Sequence, residues 1–114
     1  RIQFQFSKAD LLPASNKVLD EVVKILKDNP DLQLSIEGHT SNDGGLKEQN
    51  LLLSQKRAQT VKNYLVTKGI DARRLTAIGL GSEKPLNAGK TEAEKALNRR
   101  VELIPSYSGS AKPF

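Results

Sequence analysis

The stretch LQLSIEGHTSNDGGLKEQNLLLSQKRAQTVKNYLVTKG, residues 32–69, decides the fold. Leu32, Leu34 and Ile36 alternate with Gln33, Ser35 and Glu37, the period of a half-buried strand. Residues 38–45, GHTSNDGG, are mostly turn chemistry, yet they carry the chain's only histidine, His39, and a carboxylate, Asp43. A helical pattern follows. Ser54 reads as its N-cap, with Leu53 and Ala58 placed as a hydrophobic staple. Ala58, Val61 and Leu65 form the stripe to be buried, and Gly69 suits the left-handed position that closes the helix.

Working outward, Ile2, Phe4 and Phe6 alternate with Gln3 and Gln5 and predict a first strand. Residues 13–28 are helical in pattern, with Val18, Val22 and Leu26 on one stripe and Leu19 and Val23 beside it. Asn29-Pro30 ends that helix, because the residue before a proline avoids helical geometry. Residues 75–80 read as a well-buried third strand, left through Gly79, Gly81 and Pro85. Thr91-Glu92-Ala93-Glu94 is a capping box that opens a short helix. Val101 and Leu103 alternate with Arg100 and Glu102 in a fourth strand. The order β-α-β-α-β-β, with the short helix before the last strand, predicts an α/β (α+β) sandwich. It has a small mixed sheet with two main helices packed on one face. We expect one domain over residues 1–105 and a loosely held polar tail over 106–114.

The composition narrows the function. At 114 residues, 37% hydrophobic and 27% charged, the chain is long enough for one core and too apolar to be disordered. It has no cysteine, which removes disulfides, thiolate metal sites and cysteine nucleophiles. The formal charge of +5 allows an anionic polymer as partner, but aromatics are only 4%, leaving little to stack on bases. Nucleic acid is therefore not expected. No apolar run approaches the roughly 20 residues of a membrane helix. The sequence opens at Arg1 already in strand pattern, as a domain cut from a longer protein would, so membrane attachment would come through other parts of the parent.

Catalysis finds no support. His39 stands alone, and no nucleophile elbow surrounds Ser35 or Ser41. A single histidine offers no metal partner at useful spacing, and Gly79-Leu80-Gly81 is no phosphate loop. No cofactor is expected. Arg57 is more informative. With Ser54 as N-cap it falls at the third helical position, where the helix dipole disfavours a cation by roughly 0.3–1 kcal/mol. That cost suits a use, because an arginine fork at a helix N-terminus clamps a carboxylate. Thr40 and Ser41 offer hydroxyls at the strand end, Asp43 a negative charge, and Asn50 a side chain to hold the loop backbone. Asn98-Arg99-Arg100, at the start of the last strand, could supply a second cation. A cation on one side and an anion or hydroxyls on the other suit a zwitterion, the free end of an amino acid.

The segments GHTSNDGG and NLLLSQKRAQTVKNYL, then RLTAIGLGSEKP and NRRVEL, resemble the OmpA-like C-terminal domain family. That family includes outer-membrane protein A, peptidoglycan-associated lipoprotein and flagellar stator domains. The similarity runs from about residue 2 to residue 104. Its most specific part is the spacing Asn50-x-x-Leu53-Ser54-x-x-Arg57-Ala58-x-x-Val61, joined to Asn98-Arg99-Arg100-Val101. The resemblance implies non-covalent binding of peptidoglycan on the periplasmic face of a Gram-negative outer membrane. The ligand it implies is the meso-diaminopimelate of the stem peptide. Arg57 matches the arginine that takes the carboxylate, and Thr40, Asn50, Leu53 and Arg99 match positions that line the pocket. The aspartate that usually follows "GHT" and takes the ammonium is Ser41 here, in a loop one residue longer, so Ser41 or Asp43 would face the ammonium. Ser7 stands where an asparagine or aspartate is common. A scaffold that binds a protein partner, its wall site weakened, is the alternative.

Overall fold

The computed structural model describes residues 2–3, 13–41 and 47–107. In chain order they form β1 (Ile2–Gln3), α1 (Pro13–Asp28), β2 (Leu32–Gly38) and α2 (Lys47–Thr67). A short 3₁₀ turn (Ala72–Arg74) follows, then β3 (Leu75–Gly79), α3 (Glu92–Asn98) and β4 (Arg100–Tyr107). The sheet order is β1-β4-β2-β3, with β2 parallel to β3 and antiparallel to β4, and β1 antiparallel to β4. The sheet is mixed, as the sequence predicts, because α2 is long enough to carry the chain from β2 across to a parallel β3.

The core lies on one face. Leu32, Leu34 and Ile36 of β2 bury their side chains with Leu75 and Val101, against Leu19, Val23 and Leu26 of α1 and Ala58, Val61 and Leu65 of α2. Gln33 is exposed, and Ser35 and Glu37 are half-buried, so β2 shows the alternation of a sheet covered by helices on one side. Helix α1 starts on Pro13, whose missing N–H costs nothing at a first helical position. Beyond its last turn, the Arg74 guanidinium donates 2.8 Å hydrogen bonds to the carbonyls of Leu26, Asn29 and Leu32. One side chain so ties the end of α1 to the start of β2.

Three expectations need correction. Helix α2 begins at Lys47, about two turns ahead of Ser54. All of residues 47–53 except Asn50 are strong helix formers, and Glu48 in the first turn complements the dipole. Ser54 is therefore no N-cap, and the staple of Leu53 with Ala58 does not form at a helix start. The C-terminal reading holds: Gly69 adopts φ +99°, and the Ile70 amide reaches back 3.1 Å to the Leu65 carbonyl. Second, β3 is not well buried. It is an edge strand in which Leu75 alone is fully covered and Ile78 is 38% exposed. Third, Ser106 and Tyr107, expected to begin the tail, continue β4 opposite Gln33 and Leu32. Phe4, Phe6 and residues 108–114 lie outside the described residues.

The Thr91 cap forms as read, and the reciprocal bond from Glu94 shifts by one residue to Lys90. Thr91 Oγ1 accepts from the Glu94 amide at 3.1 Å, while Glu94 Oε1 accepts from the Lys90 amide at 2.8 Å. Among the described residues no helix is long and apolar enough to cross a membrane.

Candidate functional site

The site gathers where β2 ends. Beyond Gly38 the chain stays fixed: the His39 amide donates to the Arg100 carbonyl at 2.8 Å and the Thr40 amide to the Gly81 carbonyl at 2.9 Å. These bonds hold the strand end between β4 and the loop that leaves β3. His39, Thr40 and Ser41 are all buried, Ser41 with 6% exposure.

Helix α2 supplies the facing wall. Asn50, Leu53, Ser54 and Arg57 follow the i, i+3, i+4, i+7 spacing that places residues on one helical face. Arg57 is wholly buried, and its Nη1 donates 3.3 Å to the His39 carbonyl. Burial first, and the nearby Arg99 guanidinium second, pull the Arg57 pKa down to about 10. The group stays charged at neutral pH, and a carboxylate brought beside it would offset both effects. The cost at Arg57 is thus one of desolvation and like charge. It is not the dipole cost the sequence suggested, since Arg57 sits in the middle of α2.

Two more cations stand at the head of β4, each with a carboxylate of its own. Arg99 Nη2 is 2.6 Å from Glu92 Oε1, and Arg100 Nε is 2.6 Å from Glu102 Oε2. Arg100 also donates to the Lys84 carbonyl at 3.0 Å. Asn98, fully buried, accepts from the Leu86 amide and donates to Asn87 Oδ1, so it builds the loop before α3.

The structure thus brings Thr40, Ser41, Arg57 and Arg99 to one end of the sheet, with Asn50 and Leu53 half-buried on the Arg57 face of α2. Ser7, Asp43 and the loop that Asn50 was expected to hold lie outside the described residues. Thr40 Oγ1 is buried without a hydrogen-bond partner among the described residues, an unusual and costly state that a ligand's polar atom would relieve.

Among the described residues neither His39 ring nitrogen makes a hydrogen bond, and Nε2 lies 3.7 Å from Glu102 and 3.9 Å from Glu37. Burial, then Arg100, lowers its pKa, with Glu102 opposing and Lys84 adding to the drop. Among the described residues no group of three potential ligands could hold a metal ion.

Sequence reasoning missed the glycines and Ser54. Gly38 and Gly79 leave no room for a side chain: a Cβ at Gly38 would land on the Ser54 carbonyl, and one at Gly79 would lie 2.5 Å from the Gln55 amide nitrogen. Gln55 then clamps β3, accepting from the Gly79 amide at 2.8 Å and donating to the Ala77 carbonyl at 3.1 Å. The only signal for this in the sequence is a glycine closing each of two strand patterns.

The OmpA family profile matches residues 3–99. The chain is 39% identical over 105 residues to the probable lipoprotein YiaD of Escherichia coli K12, covering 92% of this chain and 48% of that protein. It is 38% identical to the peptidoglycan-binding protein ArfA of Mycobacterium tuberculosis, covering 90% of this chain and 31% of that protein. The chain therefore spans half or less of these two curated relatives. The crystal structure of the peptidoglycan-associated lipoprotein from Burkholderia pseudomallei superposes with a TM-score of 0.87 at 32% identity, covering 92% of this chain and 88% of that one.

Proposed function

The chain belongs to the OmpA family, and on that footing we propose that it binds peptidoglycan without a covalent bond, through the diaminopimelate of the stem peptide. It would thereby anchor an outer-membrane protein or lipoprotein to the cell wall from the periplasmic face. The observation that carries this reading is Arg57: a guanidinium wholly buried beside the end of β2, with its pKa pulled down to about 10 by burial and by Arg99. A planar fork in that setting favours a carboxylate that can accept two parallel hydrogen bonds. The names of ArfA and of the lipoprotein from Burkholderia pseudomallei support the same ligand class.

In this reading Arg57 holds the diaminopimelate carboxylate, with Arg99 adding positive potential behind it. Thr40 directs its unpartnered hydroxyl at the ligand, and Asn50 and Leu53 shape the wall on α2. The ammonium falls to Ser41, which the strand end fixes in place, or to the Asp43 carboxylate. Ser7 would offer a further hydroxyl to the ligand. The chain acts by binding alone, with no catalytic step. NMR titration with a diaminopimelate-containing muropeptide tests the proposal. Shifts centred on Arg57, Thr40 and Ser41 are expected. No perturbation there at about millimolar ligand, a level where even weak binding registers, rejects it.

Ser41 at the position of the usual acid favours a second reading, a scaffold for a protein partner. Retention on purified sacculi that Arg57→Ala abolishes rules that reading out.

A further inference from the structure

We propose that Ser54 is a positioning residue that sets the distance between the two walls of the site. The inference rests on the binding function just described and goes beyond the residues that touch ligand.

Ser54 is wholly buried in the middle of α2. A serine there is a poor choice for the helix, since its hydroxyl competes for backbone carbonyls and tends to bend the axis. Here Oγ donates to the Leu51 carbonyl at 2.8 Å, inside the helix, and so points its acceptor lone pair outward. That acceptor takes the Gly81 amide at 2.9 Å. The Gly81 carbonyl in turn accepts from the Thr40 amide at 2.9 Å. The carbonyl of that same peptide group, the His39 carbonyl, accepts from Arg57 Nη1. The bonds close a circuit that runs from Ser54 through Gly81 and Thr40 to His39 and Arg57, then back along one turn of α2 to Ser54.

The circuit spans both walls. Arg57 belongs to the helix wall, and Thr40 and Ser41 belong to the strand wall. Two links join these walls at the site: the Arg57 bond to the His39 carbonyl and the relay through Ser54 and Gly81. The Arg57 bond is long at 3.3 Å, and it engages the guanidinium that the ligand would use. The Ser54 relay has shorter bonds, is buried, and uses no group the ligand needs. It is therefore the link that keeps Thr40 and Ser41 at their station when Arg57 turns to a carboxylate. The close approach of α2 that this requires is the one Gly38 and Gly79 permit. A hydroxyl is the group that fits, because alanine would leave the Gly81 amide buried without its acceptor.

Ser54→Ala is the test. In the unliganded protein we expect faster amide hydrogen exchange at Gly81 and Thr40 and shifted Thr40, Ser41 and Arg57 Nε resonances. Affinity for a diaminopimelate-containing muropeptide is expected to fall at least about tenfold, the worth of one such buried bond. Arg74→Gln, which loosens the far end of α1, serves as the control. It is expected to lower the melting temperature while leaving affinity within about twofold, since mutations so far apart do not couple. Ser54→Ala that binds within about twofold of wild type, or that leaves the Gly81 and Thr40 amides unmoved, overturns the proposal. If Ser54→Ala does not fold, Ser54→Cys, a weak hydrogen-bonding side chain, reads the same amides, and unshifted signals there overturn it too. Failure of the wild type to bind muropeptide would instead reject the proposed function, while the exchange readings would still decide the role of Ser54.

Discussion

Gly38 and Gly79 face each other across the parallel β2–β3 ladder, and a side chain on either would drive into α2 at Ser54 or Gln55. The helix rests on bare backbone there. Gly38→Ala and Gly79→Ala are both expected to destabilise the fold by about 3 kcal/mol or more, at the upper end of overpacking costs, because the atoms in the way are mainly backbone. Urea denaturation checks this. An unchanged midpoint in Gly38→Ala would mean that α2 can lift off the sheet without loss.

Arg57→Lys keeps the charge and removes the fork. Retention on sacculi is expected to drop about ten- to a hundredfold, the equivalent of about 1.5–3 kcal/mol for one charge-assisted hydrogen bond. The variant should still fold, since the ammonium can reach the His39 carbonyl that Arg57 now meets. Wild-type retention by Arg57→Lys would show that a point charge is enough and that bidentate geometry plays no part.

Ser41 and Asp43 are the two candidates proposed for the ammonium, and a pair of variants separates them. Ser41 is fixed at the strand end, so Ser41→Asp is expected to tighten diaminopimelate binding by about tenfold, a charge-assisted bond replacing a neutral one. Asp43→Asn is expected to change it by less than about twofold. Calorimetry with free diaminopimelate reads both. A large loss in Asp43→Asn, with Ser41→Asp neutral or harmful through like-charge repulsion, assigns the ammonium to Asp43.

His39 makes the fold sensitive to acid. Its pKa lies below the ordinary 6.5 when folded, chiefly through burial. As pH falls below 6.5 the unfolded chain takes a proton that the folded chain refuses, so stability is lost in that direction. The groups facing it are Glu37, Glu102, Arg100 and Lys84, and only the carboxylates favour protonation. The slope is at most about 1.4 kcal/mol per pH unit for one proton. Urea midpoints for wild type and His39→Gln should diverge between about pH 6.5 and about pH 5. Parallel curves would show that His39 contributes no pH dependence.

Much of this fold could be read from the sequence wherever the signal is local. Helix α1, the alternation of β2, the Gly69 stop and the Thr91 cap each depend on neighbours within a few residues, and each appears as read. The start of α2 could not be read this way. Ser54 carries a good N-cap signal, and what overrules it is the helical run from Lys47 together with a partner, Gly81, that lies 27 residues away. The exposure of β3 follows from sheet order, which no single strand encodes. At the site, Arg57 stood out for its chemistry, although its cost arises from burial and Arg99, not from the helix end. The contacts that Ser54 and Gln55 make with the β3 side of the site escaped notice because their partners there are distant backbone atoms of Ala77, Gly79 and Gly81.

Gln55 carries one more consequence. Strand β3 forms the border of the sheet, and a border strand invites recruitment by a stray strand from another chain. The Gln55 amide presents one acceptor and one donor to Gly79 and Ala77, just as a neighbouring peptide group would. The side chain thereby shuts that stretch of the border against aggregation, a safeguard for any protein crowded among many copies of itself.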